Sequence, residues 1–206
     1  DKRFMLNLEL LFLGRLRKHG EFIISPKLSF QQRSFWDSWF NRCHVDNKLT
    51  PFLVGKKSSR RVWLFLIKQQ NLTYIGIATN SEDLVGRDYP FLAFTVISSE
   101  TCLQDELTPL VLFFQAHATD FENWVVQGQM DDILSTSWHT QLANDTQACD
   151  SQTDTNNEND LQAIIKVLYA DYQTEPYVSN WYDIKSTKIV IHPNTLTCSL
   201  YHKIFG

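Results

Sequence analysis

The spacing of hydrophobic residues along this chain changes several times, and each change marks a new element. Near the start, "FMLNLELLFLG" (Phe4–Gly14) alternates loosely and then turns fully apolar. It predicts a strand running into Gly14. "GEFIIS" (Gly20–Ser25) predicts a second short strand, closed by Pro26. From Ser29 the period lengthens. Phe35, Trp36, Trp39 and Phe40 fall at helical spacing, and Ser29 with Gln32 three residues later forms a capping-box pattern.

Two strands follow, "VWLFLIKQ" (Val62–Gln69) and "LTYIGIAT" (Leu72–Thr79), joined near Gln70-Asn71, and then a third, "PFLAFTVI" (Pro90–Ile97). Their short links predict an antiparallel meander. The first is almost wholly apolar, as in a central strand buried on both faces. Leu107–Gln127 reads as one helix ended by Gly128, and Met130–Ala143 as another. "LQAIIKVLYADY" (Leu161–Tyr172) is helical, "SNWYDI" and "KIVIH" are short strands, and "PNTLTCSLYHKIF" predicts a terminal helix opened by Pro193. Between them Asn144–Asp160 is polar, acidic and rich in Asn and Thr, which predicts a flexible insertion at about 144–160. The expected fold is α+β, a mainly antiparallel sheet with helices packed against it. It forms a single domain over residues 1–206.

The connection before the third meander strand, "NSEDLVGRDYPF" (Asn80–Phe91), is longer and more charged than a hairpin needs. Ser81 and Asp83 can satisfy backbone donors of their own turn. Gly86 can adopt positive φ. Arg87 can then form a bidentate pair with a carboxylate, and Asp83 and Glu21 are both candidates. Two roles remain open. The loop either locks against the Gly20–Phe22 strand or presents Arg87 to a partner.

Charge sharpens this picture. The net charge is only -4, but 15 of the 19 basic residues and 7 of the 23 acids lie in residues 1–87, a local net of +8. Residues 88–165 hold 13 acids and no Lys or Arg. Two short basic clusters, Arg15, Arg17, Lys18 and then Lys56, Lys57, Arg60, Arg61, make a candidate docking face for an acidic surface. The four cysteines are far apart and without metal-ligand spacing, which predicts reduced thiols and a cytoplasmic setting. No apolar run approaches a membrane span. The first segment lacks the apolar core and cleavage site of a signal peptide. The first residue is Asp1 rather than Met, consistent with trimming upstream.

Catalytic templates fare poorly. There is no G-x-S-x-G, no H-E-x-x-H and no glycine-rich phosphate loop. No cofactor or metal is expected. The alternative kept open is a hydrolase or transferase with a site around Ser81, Asp83 and His19. A nucleic-acid role is disfavoured by the overall acidity and the absence of a binding motif.

Ser81, Asp83, Gly86, Arg87, Tyr89 and Pro90 form an S-x-D-x-x-G-R-x-Y-P pattern. It resembles the signature of the TagF-type accessory proteins of bacterial type VI secretion. "GRLRKHGEF" is similar to that family's opening Gly-[KR]-Leu-Pro-Ser-Arg-Gly-Asp-Phe motif at Gly14, Arg15, Leu16, Gly20, Glu21 and Phe22. It departs from it at Arg17-Lys18-His19. The helix carrying Trp36 and Trp39, and "SNWY" (Ser179–Tyr182), agree with the same resemblance. These matched residues are candidates for an interaction site. The resemblance implies a cytoplasmic, non-catalytic regulator that represses assembly or firing of the secretion machine after translation. The implied partner is a forkhead-associated scaffold protein or another cytoplasmic component. Some relatives carry a fused PP2C-type phosphatase, whose acidic metal motifs have no counterpart here.

Overall fold

The computed structural model describes residues 8–44, 60–100, 102, 104–128, 130, 132–145 and 155–206. Its centre is one seven-stranded sheet, antiparallel at every pairing. The strands are β1 (Leu11–Gly14), β2 (Ile23–Ile24), β3 (Val62–Gln69), β4 (Leu72–Thr79), β5 (Phe91–Ser98), β6 (Tyr177–Asp183) and β7 (Ile189–His192). Their spatial order is β2-β1-β5-β4-β3-β6-β7, so the meander β3–β4–β5 is the middle of the sheet. The α+β expectation holds.

Both faces of the sheet are covered, which explains why β3 is apolar at nearly every position. Trp63, Phe65 and Ile67 point to one face; Val62, Leu64 and Leu66 point to the other. On the first face lie α1 (Phe30–Cys43) and α6 (Cys198–Phe205). Trp36 is central there, with ring centroids 5.5 Å from those of Phe65, Tyr74 and Phe94. Truncating such a fully buried aromatic typically costs about 3–5 kcal/mol. On the second face lie α2 (Gln104–Ala116), α3 (Ala118–Gln127), α4 (Asp132–Asp145) and α5 (Thr155–Leu168).

The capping box at Ser29 forms as the sequence predicts, with Ser29 Oγ accepting from Gln32 N and Gln32 Oε1 accepting from Ser29 N. Four boundaries differ. The helix expected over Leu107–Gln127 starts at Gln104 and breaks at His117, where φ is -97° and ψ is 5°. The break leaves the His117 ring between Phe113 and Trp138, 4.7 Å from each. The terminal helix is capped by Thr197, not opened by Pro193, because the Thr197 hydroxyl accepts from Leu200 N. The segment read as an insertion at 144–160 is helical at both described ends: α4 runs to Asp145 and α5 begins at Thr155. Residues 146–154 lie outside the described residues, as does the part of the first predicted strand before Leu8.

The cysteines also need correcting, and the cytoplasmic setting expected from four reduced thiols loses that support. Cys43, the last residue of α1, is disulfide-bonded to Cys198, the first of α6. The wide separation of 155 residues hid the pair, since α1 and α6 meet only through the fold. Cys102 is a free, buried thiol, and Cys149 is outside the described residues.

Candidate functional site

The two best-marked motifs, Gly14–Phe22 and Ser81–Pro90, meet at one end of the sheet. Contact begins at Gly14, where φ is +139°. A Cβ there would lie 2.2 Å from the Pro90 carbonyl oxygen and 2.7 Å from Phe91 Cα. Backbone cannot yield as a flexible side chain does, so only glycine lets β1 pass this close.

The β4–β5 connection closes on itself. Asp83 N donates to Arg87 O and Gly86 N to Asp83 O, both at 3.0 Å. Gly86 supplies the left-handed φ of +80°, with open space around its Cα. The Asp83 side chain is fully buried beneath the turn. Its Oδ1 accepts from Val85 N (3.0 Å) and Arg87 N (2.9 Å). Its Oδ2 accepts from Arg87 Nε (2.6 Å) and from Arg15 Nη1 (3.0 Å). Burial by itself would raise the carboxyl's pKa. The Arg87 N–H, the Arg87 guanidinium and the Val85 N–H outweigh it and hold Asp83 below the usual carboxylate range.

Arg15 is gripped twice. Its guanidinium goes to Asp83, and its carbonyl accepts the Ser81 hydroxyl at 2.5 Å. The guanidinium also sits 5.3 Å from the Phe22 ring centroid. Phe22 packs edge-on against Tyr89 at 4.7 Å, and Tyr89 Oη donates to Asp37 Oδ1 at 2.6 Å. Asp37 in turn accepts from Arg33 Nε at 3.2 Å, and Arg33 lies 5.9 Å from the Phe22 centroid. The loop, β1, the approach to β2 and α1 are thereby joined in one ring of contacts.

A second rim lies toward α3. Arg17 pairs with Glu82 through both Nε and Nη2. Lys18 N donates to Gly128 O at 2.6 Å, and Leu84 N to His19 O at 3.4 Å. Arg60 belongs to this rim: burial first, and then the nearby Arg17, push its guanidinium below its ordinary value.

The expected residues therefore separate. Gly14, Arg15, Phe22, Ser81, Asp83, Gly86, Arg87 and Pro90 assemble. Arg87 takes Asp83 rather than Glu21, which is exposed beside the equally exposed Gly20. Trp36 and Trp39 are buried core residues, 0% and 1% exposed, and present nothing to a partner. Their size recruits them to the sheet face. Of the basic residues, Arg17, Lys18 and Arg60 share the α3 side; Arg61 is half-buried, with its carbonyl accepting from Thr79. Lys56 and Lys57 lie outside the described residues. Among the described residues no hydrogen bond joins Ser81, Asp83 and His19, and His19 Nε2 is buried without a partner. "SNWY" is structural. Ser179 Oγ accepts from Trp181 Nε1, and Asn180 Nδ2 donates to the carbonyls of Leu168 and Ala170 at the end of α5.

Sequence reasoning missed Arg33 and Asp37. The available signal was that Asp37 is the one acid of α1 and sits among its aromatic residues. It also missed Leu84 and Val85, which stand exposed at the loop tip. A cavity of about 260 Å³ opens on the α6 side of the loop, lined by Ser81, Asp88, Tyr89, His44, Tyr201 and His202 among others. Among the described residues no His, Cys, Asp and Glu group could hold a metal ion, and no helix is long and apolar enough to cross a membrane.

Fold and site together define an antiparallel α+β domain that displays one clamped hairpin loop. Residues 12–137 match the TagF N-terminal domain, a type VI secretion system-associated family, and the chain belongs to that family. In fold it is similar to the crystal structure of PA0076 from Pseudomonas aeruginosa PAO1. The TM-score is 0.54 at 14% identity, over 92% of this chain and 90% of that one. No curated protein matches the sequence.

Proposed function

We propose that this chain is a non-catalytic, post-translational repressor of type VI secretion assembly or firing. It acts in the cytoplasm by binding a component of the machine, such as its forkhead-associated scaffold protein. Family membership supports the setting. The observation that carries the binding role is the Asp83 lock. Four polar side chains of the two motifs are spent within the lock, Asp83 on Arg15 and Arg87, and Ser81 on the Arg15 carbonyl. Ser81 borders the cavity on the α6 side, but its hydroxyl donates to the Arg15 carbonyl, whereas a nucleophile would be paired with its base. What the lock supports is a rigid display surface, rimmed by Arg17, Lys18 and Arg60.

The test is surface plasmon resonance against the purified scaffold protein across a salt series. Wild type should bind. Arg17→Glu with Lys18→Glu should associate more slowly and with a flatter salt dependence, at unchanged fold. No binding by wild type would remove the scaffold as partner. Equal rates and salt slopes would remove the basic rim from the mechanism.

A further inference from the structure

Leu84 and Val85 are 63% and 73% exposed, although they sit in a turn where polar residues would serve the backbone equally well. Neither is loosely held. Leu84 N is bonded to His19 O, and Val85 N to the buried Asp83 carboxylate. The lock therefore fixes two adjacent aliphatic side chains in solvent. Val126, 54% exposed, lies on the last turn of α3, close to Gly128, whose carbonyl binds Lys18.

We propose that Leu84 and Val85 are the hydrophobic anchor of the docking surface, and that they insert into an apolar cleft bordered by carboxylates on a protein partner. This rests on the reading that the chain acts by binding. The charge around the tip selects the occupant. Arg15, Arg17, Lys18, Arg60 and Arg87 lie on this side, against Glu82, Asp83, Asp88 and Glu122, the last already paired with Lys185. Asp83 is a single carboxylate facing two guanidiniums, so the lock itself is left positive. Such a surface favours an acidic rim and repels a basic one. The prefixed turn also keeps low the ordering cost that a mobile loop would impose on binding. Among the described residues the other exposed aliphatics, Ile189 and Ile191, lie on the edge strand β7 and serve as a control patch.

The experiment compares the full chain with Leu84→Ser/Val85→Ser and with Ile189→Ser/Ile191→Ser. One readout is affinity for the purified forkhead-associated scaffold protein; the other is repression of type VI secretion in cells. The tip variant should lose about 10- to 100-fold in affinity, chiefly through faster dissociation. It should also lose repression while keeping wild-type thermal stability. Val85→Thr, nearly isosteric, should show a smaller loss in the same direction. The edge variant should behave as wild type. A tip variant that binds and represses like wild type overturns the inference, as does equal damage from the edge variant. If wild type represses without binding the scaffold and the tip variant does not repress, the scaffold is the wrong partner and the anchor stands. A wild type that neither binds nor represses overturns both readings.

Discussion

Replacing Asp83 by Ala should cost this fold more than any other single change in the loop. The side chain is fully buried and accepts four hydrogen bonds, two from backbone N–H groups and two from guanidiniums. Removing one partner of a buried pair costs about 3–5 kcal/mol when the other is left without solvent. Here the arginines retain partial access, 21% for Arg15 and 58% for Arg87, so much of their charge rehydrates. The two backbone donors keep only what water can offer after the turn distorts. A loss of about 3 kcal/mol follows, which for a chain of this size lowers Tm by roughly 6–12 °C. Arg87→Ala should cost far less, about 1 kcal/mol, because Arg87 is the more exposed partner and Arg15 still holds Asp83. The pH arm follows from the same group. The folded pKa lies below the unfolded one, so the stabilisation is complete above about pH 4 and is lost as pH falls further. Thermal melts by circular dichroism from pH 3 to 7 test both points. The Asp83→Ala curve should be lower at neutral pH and should converge on wild type in acid. A Tm within about 2 °C of wild type at pH 7, or parallel pH curves, would refute the lock.

Gly14→Ala should abolish soluble protein or lower Tm by more than about 10 °C, since its Cβ would meet backbone 2.2 Å away and φ is +139°; expression and melting of the variant decide it. The Cys43–Cys198 bridge closes a loop of 155 residues in sequence separation, and chain entropy alone assigns such a closure up to about 5 kcal/mol. Reduction by dithiothreitol should therefore lower Tm clearly, and non-reducing peptide mapping should recover the linked Cys43 and Cys198 peptides. Cys102 is buried and its thiol is pushed up to about 11, first by burial, so iodoacetamide at pH 8 should leave it unmodified until the chain unfolds.

Much of this fold was legible because both sheet faces are covered. The unbroken apolar run of β3 marks a central strand, the short links between β3, β4 and β5 mark an antiparallel meander, and the Ser29 capping box marks the start of α1. The helix break at His117 was not legible, because the apolar period runs through it; tertiary packing of the histidine ring between Phe113 and Trp138 decides the conformation there. The disulfide was hidden by sequence distance, and the reading of Cys43 and Cys198 as reduced thiols failed for that reason. In the loop, the choice between Asp83 and Glu21 as the partner of Arg87 needed the turn itself, which brings residue i to i+4. The helical spacing of Trp36 and Trp39 favours a core over an interface, and the closure of α1 over the sheet buries both. Leu84 and Val85 carried no signal at all, since exposure at a loop tip is set by what packs beneath it, here a buried carboxylate.

The central claim is that this chain restrains type VI secretion by binding rather than by chemistry. The most direct measurement is the amount of secreted tube protein from bacteria overproducing the wild-type chain, against its unchanged intracellular level. The account predicts that secretion falls sharply with no change in transcript or cellular protein, and that Ser81→Ala, which removes the hydroxyl but leaves Asp83 and the loop tip, still represses. Secretion that continues undiminished at high levels of the folded chain would contradict it.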